Sequence, residues 1–193
     1  GDHRDLHSFP TRRSSDLLNS LQEAVQDGGD LNFDRLLPKI EQVCKTLELP
    51  VGAKEVGFGI DGTVAEKLYN AGISYIDVAG AGGTSWSQVE KLRSRNPLKK
   101  AAAEAFNNWG IPTKDCIVSV RSHLPEVPLV ASGGMNTGVD AAKAITLGAD
   151  LIGFARHLLK SATESAEAVI QTMEQIELEL KMTMFGIGVK NIE

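Results

Sequence analysis

Three short runs of this chain end in the same abrupt way. Lys54-Glu55-Val56-Gly57, Ile76 to Thr84 (IDVAGAGGT) and Ala131 to Gly138 (ASGGMNTG) each carry a β-branched or apolar stretch into glycine, a small residue or a lone charged side chain. Short apolar runs without alternation read as strands buried on both faces, which is the habit of a parallel sheet covered by helices. A chain punctuated like this places its unusual residues where strands hand over to helices.

The rest of the pattern supplies the helices. Phe33, Leu36, Leu37, Ile40, Val43 and Leu47 share one helical face, with Pro38 tolerable in the first turn. A strand over 51–56 follows. Asp61 is placed to cap a helix through Val64, Ala65, Leu68 and Tyr69 that stops at Gly72. Strand 73–78 leads into a long excursion rich in glycine and serine, from Gly80 to about Asn96. Two helices (98–108 and 112–123), strand 128–132, helix 139–147, strand 151–154 and a last helix over about 164–184 complete the reading. Four strands, each followed by helix, are compatible with an open doubly wound sheet or with part of a closed barrel. No GxGxxG follows a strand and opens a helix, so the nucleotide fingerprint of the open sheet is missing. The barrel also explains why every strand ends in residues suited to chemistry. The expected fold is therefore α/β, the C-terminal half of a (β/α)8 TIM barrel with about four parallel strands.

Size agrees with a part. The chain has 193 residues, whereas an intact barrel of eight units needs roughly 250. Residues 18–193 form the expected partial-barrel domain. Residues 1–17 (GDHRDLHSFPTRRSSDL) have no apolar period and resemble a translated sequencing-adapter read; they are set aside as a non-native or disordered leader, and His3 and His7 with them. A net charge of −5 argues against nucleic acid or an anionic membrane as partner. No run approaches a membrane span and no secretory signal is visible, so a cytoplasmic location is expected. Cys44 and Cys116 have no CxxC spacing and read as two reduced thiols.

Candidate chemistry collects at the strand ends. Gly133 and Gly134 allow backbone N–H groups to approach an anion, the helix after Thr137 directs its positive end there, and Arg156 adds a forked cation. That is a phosphate site, although Thr137 and Asp140 also fit an ordinary helix cap. Lys54 lies inside an apolar strand and needs an anion or an electron-rich group, unless it merely pairs with a neighbour such as Glu55. Gly80 to Thr84 offers consecutive donors and a hydroxyl, a weak signal alone. Asp77 reads as structural, and Gln22-Glu23 as a polar helix start.

Taken together these motifs resemble the flavin-dependent (type II) isopentenyl-diphosphate isomerases. The resemblance runs from Leu18 to Glu193 through Asn19-x-x-Gln22-Glu23-Ala24, Lys54 to Gly59 (KEVGFG), Ile76 to Thr84, Trp109 to Thr113 (WGIPT), Ala131 to Gly134 and the tail from Met184 to Ile192. It implies a barrel that uses reduced FMN, with NADPH as its reductant, and Mg²⁺ to convert isopentenyl diphosphate to dimethylallyl diphosphate. It implies Gln22 beside the reacting hydrocarbon, Glu23 on the magnesium and Lys54 on the reduced ring. Ala79, Thr84, Gly133, Gly134, Met135, Ala155 and Arg156 fall at its FMN positions, with Thr84, Gly133, Gly134, Ala155 and Arg156 about the ribityl phosphate. A homo-oligomer of the full-length protein is implied as well. Ala79 replaces a serine usual in the family, the loss of one hydrogen bond of about 1 kcal/mol. The N-terminal half, with its basic substrate-binding residues, has no counterpart, so this chain alone is expected to be inactive. Two other readings stand beside it: a 2-hydroxy-acid dehydrogenase using FMN, which would require a His–Arg pair at strand ends, and a non-catalytic flavin- or phosphate-binding half-barrel. His123 and His157 are the histidines outside the leader, and neither ends a strand.

Overall fold

A computed structural model of the chain describes residues 20–26 and 31–192; the expected leader, residues 1–17, lies outside them. The first helix among the described residues is α1 (Ser20–Val25), then α2 (Leu36–Thr46), with Pro38 in its first turn as expected. Strand β1 (Gly52–Lys54) leads to α3 (Gly62–Asn70), whose N-terminus is capped by the Asp61 carboxylate accepting from Val64 N–H at 2.8 Å. Strand β2 (Tyr75–Asp77) is followed by α4 (Trp86–Arg93), α5 (Pro97–Glu104) and α6 (Thr113–His123). Strand β3 (Leu129–Ala131), α7 (Gly138–Thr146), β4 (Leu151–Ile152), α8 (Arg156–Glu164) and α9 (Ala166–Ile187) complete the described chain.

The sheet order is β1-β2-β3-β4 with every pairing parallel. A doubly wound sheet reverses its strand order at a switch point. Here each strand simply adds beside its predecessor, as in an arc of a (β/α)8 barrel, and the fold is α/β of that kind. The register of Ala53 with Ile76, Ile76 with Leu129 and Ala131 with Ile152 sets one face of the arc. That face meets the helices: Ile76, Leu129 and Ala131 are buried with Ile60, Ile73, Val78, Cys116, Ile117 and Val120 in one core. The opposite, concave face carries Tyr75 and Leu151, which remain 42% and 63% exposed.

Two expectations about helices change. The Gly80–Asn96 excursion contains α4, and α8 intervenes between β4 and the last helix. Helix α4 was hidden because it buries Ser87 and Glu90 rather than an apolar stripe. Both cysteines are free, Cys116 fully buried in the core.

At the N-terminal ends of the strands Arg121 ties the layers together. Its guanidinium donates to the carbonyls of Gly148, Pro125 and Val127 and to the Asp150 carboxylate, which also accepts from Leu129 N–H at 2.7 Å. In barrels this end serves stability, and the other end serves chemistry.

Candidate active site

Because the strands are parallel, Lys54, Asp77 and Ser132 arrive together at their C-terminal ends. The register pairs Lys54 with Asp77 directly, so both side chains project on the concave face, and Ser132 shares their parity two residues past Val130. Lys54 Nζ lies 3.1 Å from Asp77 Oδ2 and 3.2 Å from Ser132 Oγ, and it donates to the Glu55 carbonyl at 3.1 Å. Asp77 Oδ1 accepts from Ser132 Oγ at 2.6 Å and from Ala79 N–H at 3.1 Å. The bland alternative for Lys54, a lysine facing the helices and paired with Glu55, is thus replaced by a partner on the next strand. Asp77 and Ser132 are buried, while the Lys54 side chain keeps 49% of its surface. Its ammonium is held in place by three contacts on a side chain that stays half exposed.

The Glu55 carboxylate is engaged elsewhere. Its Oε2 accepts from the N–H groups of Val56, Gly57, Phe58 and Gly59, at 2.6, 2.7, 2.5 and 3.2 Å. One carboxylate oxygen therefore gathers the whole β1–α3 loop. Phe58 passes the order on, its carbonyl accepting from Ile111 N–H at 2.8 Å. At Gly57, with φ +132°, a Cβ would stand 2.7 Å from the Thr84 carbonyl, so the loops carrying KEVG and Thr84 abut.

The loops after β2 and β3 lie closer still. A Cβ on Gly133 would overlap the Gly80 backbone, and one on Gly134 would stand 2.8 Å from the Gly82 carbonyl carbon. Both have positive φ, +93° and +78°, which glycine alone adopts freely. Thr113 Oγ1 locks the same junction by donating to the Gly133 carbonyl at 2.7 Å. Ala79 sits beside it, buried, with φ +37°. Met135, partly buried, packs its side chain against the core.

The two helix N-termini nearby differ. That of α7 is already filled: Thr137 Oγ1 and Asp140 form a reciprocal capping box, and Gly138 N–H donates to Glu179 Oε2 at 2.7 Å. Here the cap reading prevails over an anion-binding end. Helix α8 begins at Ala155 with no side-chain cap, and Arg156 is its exposed first residue. Its first-turn N–H groups and the Arg156 guanidinium suit a phosphate, and glycine backbone suits the ribityl chain beside it. The residues present fit an FMN phosphate end and an electron-rich ring over Lys54.

Gln22 and Glu23 lie on α1, which packs on α4 and α5. Glu23 is buried, and Lys99 Nζ fastens the segment by donating to the Gln26 carbonyl at 2.9 Å. Glu23 offers one hard oxygen donor, which fits a magnesium that takes its other ligands from diphosphate and water. No cluster of three or more His, Cys, Asp or Glu forms among the described residues. His123 accompanies the end of α6, its Nδ1 3.0 Å from the Ser119 carbonyl, and His157 falls in the first turn of α8. Sequence reasoning read Asp77 as structural and Glu55 as no more than a neighbour for Lys54. An acid placed inside an apolar strand, within one residue of its end, was the signal for the first.

The chain matches the family described as FMN-dependent dehydrogenase over residues 11–193. It is 81% identical over 176 residues to the isopentenyl-diphosphate delta-isomerase of Oceanobacillus iheyensis, covering 91% of this chain and 50% of that protein. The isomerase of Vibrio parahaemolyticus is 50% identical over 171 residues, covering 89% and 50%. The chain spans about half the length of the curated relatives it matches. Among solved structures, a Pediococcus acidilactici protein described as a lactate oxidase superposes with TM-score 0.64 at 22% identity, over 85% of this chain and 39% of that one. A mandelate oxidase gives 0.60 at 20%, over 84% and 44%. At these identities the structures speak for the fold alone.

Proposed function

From a chain that belongs to the FMN-dependent dehydrogenase family, we propose the flavin-holding part of an isopentenyl-diphosphate delta-isomerase, a protein that interconverts isopentenyl and dimethylallyl diphosphate with reduced FMN and Mg²⁺. The observation that carries this reading is the convergence of Lys54, the interlocked glycine loops and the uncapped start of α8 at one end of the sheet. The likeness to curated isomerases supports this reaction. A 2-hydroxy-acid dehydrogenase would need its histidine at a strand end, whereas His123 and His157 lie on helices.

Bound reduced FMN would supply the electron-rich ring and the acid–base chemistry for moving a proton on an alkene. In this reading Arg156, Ala155, Gly133, Gly134 and Thr84 hold the ribityl phosphate, with Ala79 and Met135 also against the FMN. Lys54 holds its positive charge against the reduced ring. Gln22 orients the hydrocarbon. Glu23 ligates Mg²⁺, which fixes the diphosphate and so the register of the reacting double bond. NADPH is the proposed source of reducing equivalents, and a homo-oligomer of the complete protein is proposed with it. No described helix is long and apolar enough to cross a membrane.

The test is retention of FMN by the purified chain through gel filtration, followed by fluorescence titration. Arg156→Ala removes a charge-assisted contact of about 1.5–3 kcal/mol, so it is expected to weaken binding by tenfold or more. Flavin that elutes free of the wild-type chain, or an Arg156→Ala affinity equal to wild type, refutes the assignment of the phosphate site.

A further inference from the structure

Lys54 does not stand as an isolated cation. All three of its short polar contacts come from the chain itself: the Glu55 carbonyl, the Ser132 hydroxyl and the Asp77 carboxylate. Asp77 also joins the other strand-end group, since its second oxygen accepts hydrogen bonds from the Ser132 hydroxyl and the Ala79 N–H. The carboxylate is buried, so its charge is only weakly screened by solvent. The lysine side chain it faces is half exposed. The pair therefore presents the cation to the barrel mouth while keeping the anion behind it.

Resting on the flavin reading above, we propose that Asp77 is a positioning residue that acts through Lys54. It fixes the ammonium at the strand ends and offsets its charge, and so sets how strongly the site prefers reduced over oxidised flavin. Ser132 bridges the two groups and holds their geometry. It is neutral and adds no net charge of its own.

The two roles separate under substitution. Asp77→Asn keeps an oxygen to accept from Ser132 and Ala79 and replaces the oxygen facing Lys54 by an amide NH2, so the ammonium rests on the Glu55 carbonyl and the Ser132 hydroxyl. What is lost is the negative charge behind the ammonium. The flavin then meets a more positive site, and the reduced, more electron-rich form gains.

The experiment measures the midpoint potential of FMN bound to the full chain by dithionite titration against a reference dye. Binding affinity and thermal melting are recorded for each variant. In Asp77→Asn the ratio of affinities for reduced over oxidised FMN is expected to rise at least tenfold, a potential more positive by about 30 mV for a two-electron couple. Ser132→Ala preserves both charges and is expected to change the ratio less than threefold. A threefold or smaller change in a folded Asp77→Asn overturns the proposal while FMN binding stands. Should Asp77→Asn not fold, a tenfold change in Ser132→Ala overturns it, because the hydroxyl rather than the carboxylate would then set the site. A ratio unmoved in Ser132→Ala supports it. A wild-type chain that retains no FMN overturns the flavin reading first and this inference with it.

Discussion

Replacing Glu55 by glutamine tests how much of the site rests on one carboxylate oxygen. The side chains are nearly the same size, so packing is little changed, and the loss is electrostatic. Three of the four N–H contacts to Oε2 are 2.7 Å or shorter, the length of charge-assisted bonds. A hydrogen bond to a charged group is worth about 1.5–3 kcal/mol and one between neutral groups about 0.5–1.5. Counting the three short contacts at about 1 kcal/mol each, and discounting because they share one oxygen, gives about 2–3 kcal/mol. In urea the unfolding free energy should fall by that amount with an unchanged slope, since the surface exposed on unfolding is the same. The thermal midpoint should fall by roughly 5–10 °C, at about 2–4 °C per kcal/mol for a chain of this size. Glu55→Ala should cost more, because it leaves four N–H groups without their acceptor. A Glu55→Gln change below about 0.5 kcal/mol, within the ordinary range for surface substitutions, would show that backbone geometry and not the carboxylate shapes the loop.

Arg121→Met should remove about 1–3 kcal/mol from stability, since the buried Val127 and half-buried Gly148 carbonyls lose their donor while exposed Asp150 keeps the Leu129 N–H; the ratio of FMN affinities at the far end of the strands should not move, and flavin titration beside chemical denaturation checks both. Burial pushes the Cys116 thiol up to about 11, so alkylation at neutral pH should leave Cys116 intact until the chain is unfolded, as read by mass spectrometry. Cys44, raised less far by partial burial, should react first. Glu104, Glu177 and Glu179 titrate below the usual glutamate range, held down by hydrogen bonds from Lys91, from Lys181 and from Gln175 respectively. A lowered folded-state value means that the unfolded chain takes up protons first, so their stabilisation is present near neutrality and is lost as the pH falls through roughly 4.5 and below. Thermal melting from pH 6 to pH 3 should show that loss, with Glu179→Gln flattening part of it.

Features governed by nearby residues were the ones legible in the sequence. Asp61 before an apolar helical face and Thr137 three residues before Asp140 announce their caps, because the donor and acceptor lie within one turn. Four strands with abrupt ends announced a parallel sheet, and the candidate glycines could be picked out by composition. What stayed hidden depends on partners far along the chain. Lys54 and Asp77 meet only once the strand register is set, and Ser132 joins them from 55 residues beyond Asp77. Helix α4 escaped because Ser87 and Glu90, not leucines, face inward. The role of Glu55 needs a loop that turns four N–H groups toward one side chain, a geometry that no spacing of residues declares.

The glycine junction between the loops after β2 and β3 has a genetic consequence. At Gly133 and Gly134 the atoms that a new side chain would strike belong to the main chain of Gly80 and Gly82, and at Gly83 to that of Gly134. A clash between side chains can be relieved by trimming the neighbour, which is how second-site suppressors usually work. Here the neighbours have nothing left to trim. Substitutions at these positions should therefore lack compensating partners elsewhere in the chain. Selection for suppressors should return true revertants, and the two loops should drift, if at all, only by keeping every one of these glycines.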